Sequence, residues 1–325
     1  MKHRAKGTGW TPILITSAIA LSASAPAYPQ YPAKSIRLIV PFAAGSANDI
    51  VARIVAAPMS DALGRQVVVD NRPGAAGNLG AEIAAKSPPD GYTLLLANIS
   101  HAISMTLYDR LGYDLLKDFA PVSLLASGSF MLALHPSVPA RSVKELIAVA
   151  KARPEQINVG VSGAGIILAA ELFKSMAGIR MTSVNYKSSP QTVTGLVAGE
   201  VSVGFPATSV ALPHVKAGRL RGLAVTSSQR APIAPDVPTV SEAGLRGYEA
   251  TPWYGLMVPA GTPAEIITRL HAEAAQALNR TDVKEHFGVT DMAPMGSTPD
   301  RFGSYIRNEV TKWGKVIRTS SLRPE

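Results

Sequence analysis

The 325-residue sequence contains no cysteine, which excludes a disulfide framework, thiolate metal sites, thiol catalysis and a lipid anchor on a leading cysteine. Beyond its first 27 residues it also lacks any stretch approaching the roughly 18 uninterrupted apolar residues that a membrane-spanning helix needs. Charged residues make up only 17%, with no run of five and no interleaved aromatics. The net charge of +9 therefore leaves no nucleic-acid footprint, while attraction of small anions remains open. His101, His135, His214, His271 and His286 are dispersed, and no His-Glu-x-x-His occurs, so no metal and no cofactor are expected. "PGAAGNLG" (Pro73 to Gly80) has three glycines without the Gly-x-Gly-x-x-Gly spacing and reads as a turn. There is no internal repeat and no low-complexity tract.

With 46% hydrophobic residues the chain is long enough to pack about two domains. Residues 1–27 stand apart, with a basic start (Lys2, Arg4, Lys6), an apolar centre (Ile13 to Leu21) and the small-residue pattern Ala25-Pro26-Ala27. This is the pattern of a secretory signal peptide, with the mature chain starting near Tyr28. The segments that follow alternate between strand-like and helix-like, which predicts α/β layers with largely parallel sheets. "IRLIV" reads as a buried strand, and the next helix is expected to end at Gly64 and kink at Pro58. Ser142 with Glu145, and Thr262 with Pro263 and Glu265, mark two later helix starts. Thr298-Pro299 opens a terminal helix whose Phe302, Tyr305, Ile306, Val310, Trp313 and Ile317 share one face. The Pro-rich "RAPIAPDVPTV" (Arg230 to Val240) is expected to be an ordered surface loop.

The most informative stretch is "RLIVPFAAGSANDIVARIV" (Arg37 to Val55), where a strand passes through small residues into a helix. The first N–H groups of a helix have no partner within it, and the aligned peptide dipoles leave partial positive charge there. A loop of Phe42, Ala43, Ala44, Gly45, Ser46 and Ala47, leading to Asn48 and Asp49, lets an oxyanion approach the backbone, with Ser46 or Asn48 as cap. "LANISHAIS" adds Asn98 and His101 at a strand end, where cleft residues sit in open α/β sheets.

The blocks "IRLIVPFAAG", "VVVDNRPGAAGNLGAE", "PDGYTLLLAN", "DFAPVSLLA" and "PDVPTVSEAGLRGYEATPWYGLMVPAGTP", in this order and spacing, resemble the solute-binding proteins of the tripartite tricarboxylate transporters, the Bug receptor family. The resemblance covers about residues 31–318. It implies a type II periplasmic-binding-protein fold, with two α/β domains joined by two crossing strands and a ligand cleft between them. The expected divisions are residues 28–127 with 253–325, and 128–252. The resemblance also implies binding, not catalysis, of a small organic carboxylate that is delivered to membrane transporter subunits. The protein would be periplasmic, monomeric and free of the membrane after signal cleavage. Sensing without transport, through docking on a signalling partner, is a second class of function that the same features would serve.

Carried onto this chain, the second-domain contacts become Ser162, Gly163, Ala164 and Gly165, then Lys187, Ser188 and Ser189, then Thr208. The chain departs from the family pattern at Ile166 and Ile167, where hydroxyls and His are usual, and at Ser202 and Pro206, where Asp is usual. These changes imply a less polar cleft wall and a monocarboxylate with an apolar body. A hydrolase reading rests on "NVGVSGAG", which places Ser162 one residue short of a nucleophile elbow. Asp236 or Asp282 and His271 or His286 would have to complete it.

Overall fold

A computed structural model describes residues 1–3 and 31–319; most of the expected signal peptide, including its cleavage site, lies outside the described residues. The chain begins with β1 (Ile36–Val40), α1 (Ala47–Leu63), β2 (Val67–Asn71), α2 (Asn78–Ala85), β3 (Thr93–Asn98), α3 (Ile99–Leu107) and β4 (Phe119–Ser127). It continues through β5 (Met131–Leu134), α4 (Val143–Ala152), β6 (Asn158–Val161), α5 (Gly163–Ala177), β7 (Thr182–Asn185), α6 (Ser189–Ala198), β8 (Val203–Gly204), α7 (Thr208–Lys216) and β9 (Arg221–Val225). It closes with β10 (Trp253–Pro259), α8 (Ala264–Asn279), α9 (Thr281–Val289), β11 (Ala293–Pro294) and α10 (Pro299–Thr319).

Two sheets result, one six-stranded in the order β11-β4-β10-β3-β1-β2, the other five-stranded in the order β7-β6-β8-β5-β9. Sheet membership changes between Ser127 and Met131 and reverts between Val225 and Trp253. The expectation of largely parallel sheets is only half met. β1 runs parallel to β2 and β3, and β6 to β7 and β8, but β10 is antiparallel to β3 and β4, and β5 to β8 and β9. The reason is the crossing itself: a strand that enters one sheet from the other arrives at the opposite end of the βαβ strands, so it pairs with them head to tail.

Local signals account for most element boundaries. Every residue of β1 except Arg37 is buried, as a strand covered on both faces requires. α1 ends at Gly64 in the left-handed region, and it continues through Pro58 as one helix. Ser142 Oγ accepts the Glu145 N–H at 3.1 Å, but Glu145 returns its carboxylate to the Arg141 N–H instead of to Ser142. Thr262 does not cap α8; its hydroxyl donates to the Pro259 carbonyl at 2.7 Å, and the helix starts after Pro263. In the loop from Arg230 to Val240, Ala231, Ala234 and Val240 are buried.

The hydrophobic core runs through both sheets without a break, from Ile39 and Leu95 to Leu134 and Val159, with Phe173, Tyr248, Trp253, Phe302 and Trp313 among its members. α10 contributes Phe302, Ile306, Trp313 and Ile317, all buried, and packs on α3, α5 and β4. Its Glu309 carboxylate accepts the indole N–H of Trp253 on β10 at 3.0 Å and of Trp313 at 2.8 Å, and also pairs with Lys312. The returning strand is thereby tied to the terminal helix.

Candidate functional site

The loop from Pro41 to Ser46 leaves the C-terminal end of β1 and enters α1, whose cap Ser46 accepts the Asp49 N–H at 3.3 Å. Asp49 does not face outward as a ligand group. Its Oδ2 accepts the Gly45 N–H at 2.9 Å and the Arg53 guanidinium at 3.0 Å, and its Oδ1 accepts Asn71 Nδ2 at 3.1 Å. Burial pushes the Asp49 carboxyl up, but the bonds from Arg53, Gly45 and Asn71 outweigh it and hold the group below its ordinary value. Asn71 Nδ2 also donates to the Phe42 carbonyl at 3.0 Å, so the end of β2 clamps both ends of the loop. Among the described residues the N–H groups of Ala43, Ala44, Ala47 and Asn48 donate no intramolecular hydrogen bond. Ala43, Ala44, Gly45 and Ala47 are exposed. The result is a braced, neutral-faced row of backbone donors.

Asn98 ends β3 and caps α3, with its Oδ1 accepting the Ser100 N–H at 2.9 Å. Its Nδ2 donates to Asn48 Oδ1 at 2.8 Å, tying the start of α3 to the start of α1. His101 is fully buried, and its Nδ1 accepts the Asn98 N–H at 3.0 Å. That bond places the remaining proton on Nε2. Burial lowers the imidazole to about 4, so it is neutral at physiological pH. Phe42 meets its ring edge to face at 6.2 Å, and Gly77, at φ +96°, packs against both rings where a Cβ would lie 2.9 Å from Phe42. His101 therefore positions Asn98 and the Phe42 loop from behind.

On the other sheet, α5 starts at Gly163 with Ser162 as its N-cap residue, yet Ser162 makes no capping bond. The N–H groups of Gly163, Ala164 and Gly165 have no intramolecular acceptor among the described residues. Gly163 is exposed, and Ala164 and Gly165 are half-buried. Ile166, by contrast, belongs to the core, and Ile167 packs against that core. A methyl group built on Gly165 would lie 3.5 Å from Ile99 Cγ2, so the starts of α5 and α3 face each other across the two sheets. α6 begins after Ser188 with no side-chain cap, and exposed Lys187 precedes it. Ser189 Oγ accepts the Ala207 N–H at 3.3 Å. Thr208 is fully buried, its hydroxyl 2.6 Å from Ser129 Oγ.

The structure thus brings together the starts of α3 and α5 and, through the Asn48–Asn98 bond, the start of α1. It turns Asp49, His101 and Thr208 inward. Sequence reasoning missed Asn71, Arg53 and Gly77 as braces. Asn71 carried a usable signal, since an Asn at the end of a strand parallel to β1 lies beside the loop that leaves β1.

The hydrolase constellation is not assembled. The Ser162 hydroxyl meets Thr192 Oγ1 at 3.4 Å, and no described histidine bonds it. His271 and His286 lie on α8 and α9, which pack with α1, β4 and β11, whereas Ser162 caps α5 beside the other sheet. Asp282 is engaged by Arg280 at 2.8 Å.

Residues 51–322 match the model of the tripartite tricarboxylate transporter family receptor. The chain is 36% identical to protein BugT of Bordetella pertussis over 95% of each sequence. A solved R. palustris protein with adipate is 36% identical, with a TM-score of 0.75 over 91% of this chain and all of that one. MatC from Rhodopseudomonas palustris with bound malate is 29% identical, with a TM-score of 0.72 over 88% of this chain and all of that one. The chain therefore belongs to the tripartite tricarboxylate transporter receptor family.

Proposed function

We propose that this protein is a periplasmic receptor that holds a small organic carboxylate between its two sheets and hands it to a tripartite tricarboxylate-type transporter. The observation that carries the reading is the set of free backbone N–H groups at the starts of α1 and α5. One helix start is worth about 0.3–2 kcal/mol toward an anion, whereas micromolar binding needs about 8 kcal/mol. A two-sided site with several donors and excluded water supplies the difference. In this reading residues 28–127 with 253–325 form one lobe and 128–252 the other, and residues 1–27 direct export. The contacts come from the Phe42 to Ala47 loop with Asn48, from Asn98, from Ser162 to Gly165 and from Lys187 to Ser189. Family membership favours transport over the sensor and hydrolase readings.

Adipate and malate bound to related receptors make dicarboxylates the first probes. A thermal-shift panel of adipate, malate, citrate and benzoate tests the reading, because a ligand that binds only the folded state raises the melting temperature. At least one carboxylate is expected to raise it by several degrees at millimolar concentration. A flat response across a broad carboxylate panel would sink the proposal.

A further inference from the structure

Where the chain passes between the sheets, three side chains from three segments meet out of water. Ser129 lies in the link from β4 to β5, Thr208 opens α7 beside the five-stranded sheet, and Asp291 precedes β11 of the six-stranded sheet. All three are buried. Ser129 Oγ donates to Asp291 Oδ2 at 3.1 Å and lies 2.6 Å from Thr208 Oγ1, so the Thr208 hydroxyl is left to donate to Ser129. Asp291 Oδ1 has no hydrogen-bond partner although it is fully out of solvent. Asp291 also sits at φ +58°, a conformation that costs an L residue strain. A strained, buried carboxyl with half its acceptor capacity unused suits a neutral acid and does not suit a carboxylate.

We infer that Asp291, Ser129 and Thr208 form a proton-operated latch between the two sheets, closed when Asp291 is neutral and released when it ionises. The surroundings support both states. Burial pushes the Asp291 carboxyl up to about 7, outweighing the hydroxyls of Ser129 and Thr208, which favour the carboxylate, and no ion pair reaches it. A cavity of about 160 Å³ adjoins it, bounded by Ser127, Ser129, Ser227, Arg230, Thr251 and Asp291 among others. Arg230 is the only charged side chain in that lining besides Asp291, and its guanidinium is taken by Glu242 at 3.0 Å and the Pro235 carbonyl at 3.2 Å. Thr251 is bonded to Glu249, and Thr208 and Ser129 do not titrate. An ionised Asp291 would therefore find no cation in reach, and its relief is water entering the cavity, which has room for several molecules. Release then comes from hydration: opening the junction lets water reach both carboxylate oxygens, and that water takes the place of the bonds from Ser129 and Thr208.

The latch concerns regulation of the two-lobed receptor proposed above, and its test uses ligand-free protein so that the two readings can fail separately. Amide hydrogen exchange is followed in the wild type, Asp291→Asn and Asp291→Gly from pH 5.5 to 8.5, in peptides spanning Phe130 and Thr208. Those amides donate to Thr226 Oγ1 and the Ser129 carbonyl, respectively. Both variants remove the titration, and the glycine also relieves the backbone strain, so one remains as reference if the other fails to fold. Between pH 5.5 and about 7 the ratio of wild-type to variant exchange at these two sites is expected to climb by up to about tenfold per pH unit, and to level off above pH 7, where Asp291 is ionised in both states, with β3 unaffected. Parallel profiles in wild type and variants would overturn the latch. Acceleration that spreads equally to β3 would also overturn it, since it would report global destabilisation by a buried acid.

Discussion

At Gly45 the backbone sits at φ +78°, and nothing lies within 4 Å of the place where a side chain would project. The position is open on the side where a carboxylate would approach, while its N–H is held by Asp49. Gly45→Val therefore imposes a backbone cost of about 1–2 kcal/mol and places methyl groups over the free donors of the loop. The variant is expected to fold, with a slightly lower denaturation midpoint, and to lose at least tenfold in affinity for whichever carboxylate the wild type takes, measured by calorimetry. Unchanged affinity in the folded variant would remove the loop from the site. Asp49 and Asn71 illustrate how far such a loop can be read from its sequence. The small residues and the Ser46 cap were legible, because helix starts follow local chemistry. The inward turn of Asp49 was not, because its partners Arg53 and Asn71 come from one helical turn away and from a neighbouring strand.

Among the elements, α10 holds the returning strand in place. Its face of Phe302, Ile306, Trp313 and Ile317 was evident from spacing alone, but the buried Glu309 on the same helix was not. Glu309 satisfies two indole N–H groups that would otherwise be buried without acceptors, one of them on β10. Glu309→Leu leaves both donors unpaired and is expected to cost about 3 kcal/mol. In urea this should lower the unfolding midpoint with little change in slope, and a loss below about 0.5 kcal/mol would mean that the indoles find water or other acceptors. Strand direction was likewise beyond local reading. Buried parallel and antiparallel strands present the same apolar runs, so β5 and β10 disclose their antiparallel pairing only through the path that brings them to the sheet.

At the scale of the whole molecule, two sheets are linked where the chain crosses at residues 128–130 and again after Val225, and the proposed ligand contacts lie on loops from both. Few crossings and a two-sided site are what a closing receptor requires. Small-angle scattering with saturating adipate, or with another carboxylate that the thermal panel identifies, is expected to show a smaller radius of gyration than the ligand-free protein. Identical profiles would argue that capture proceeds without lobe movement. What the sequence by itself determined is the inventory: the alternation of strands and helices, the helix boundaries set by caps and glycines, the donor-rich loop after β1, and the ordered blocks that carry the family resemblance. Each of these depends on residues a few positions apart, where spacing and side-chain chemistry suffice. Only the tertiary structure decided which candidates face the site and which are braces. Asp49 is taken by Asn71 from a neighbouring strand, Thr208 by Ser129 from 79 positions away, and Asp291 meets Ser129 across 162 positions. The competition between a ligand and an internal partner for a polar atom is settled by which of them folding brings within about 3 Å, and local pattern carries no record of that distance.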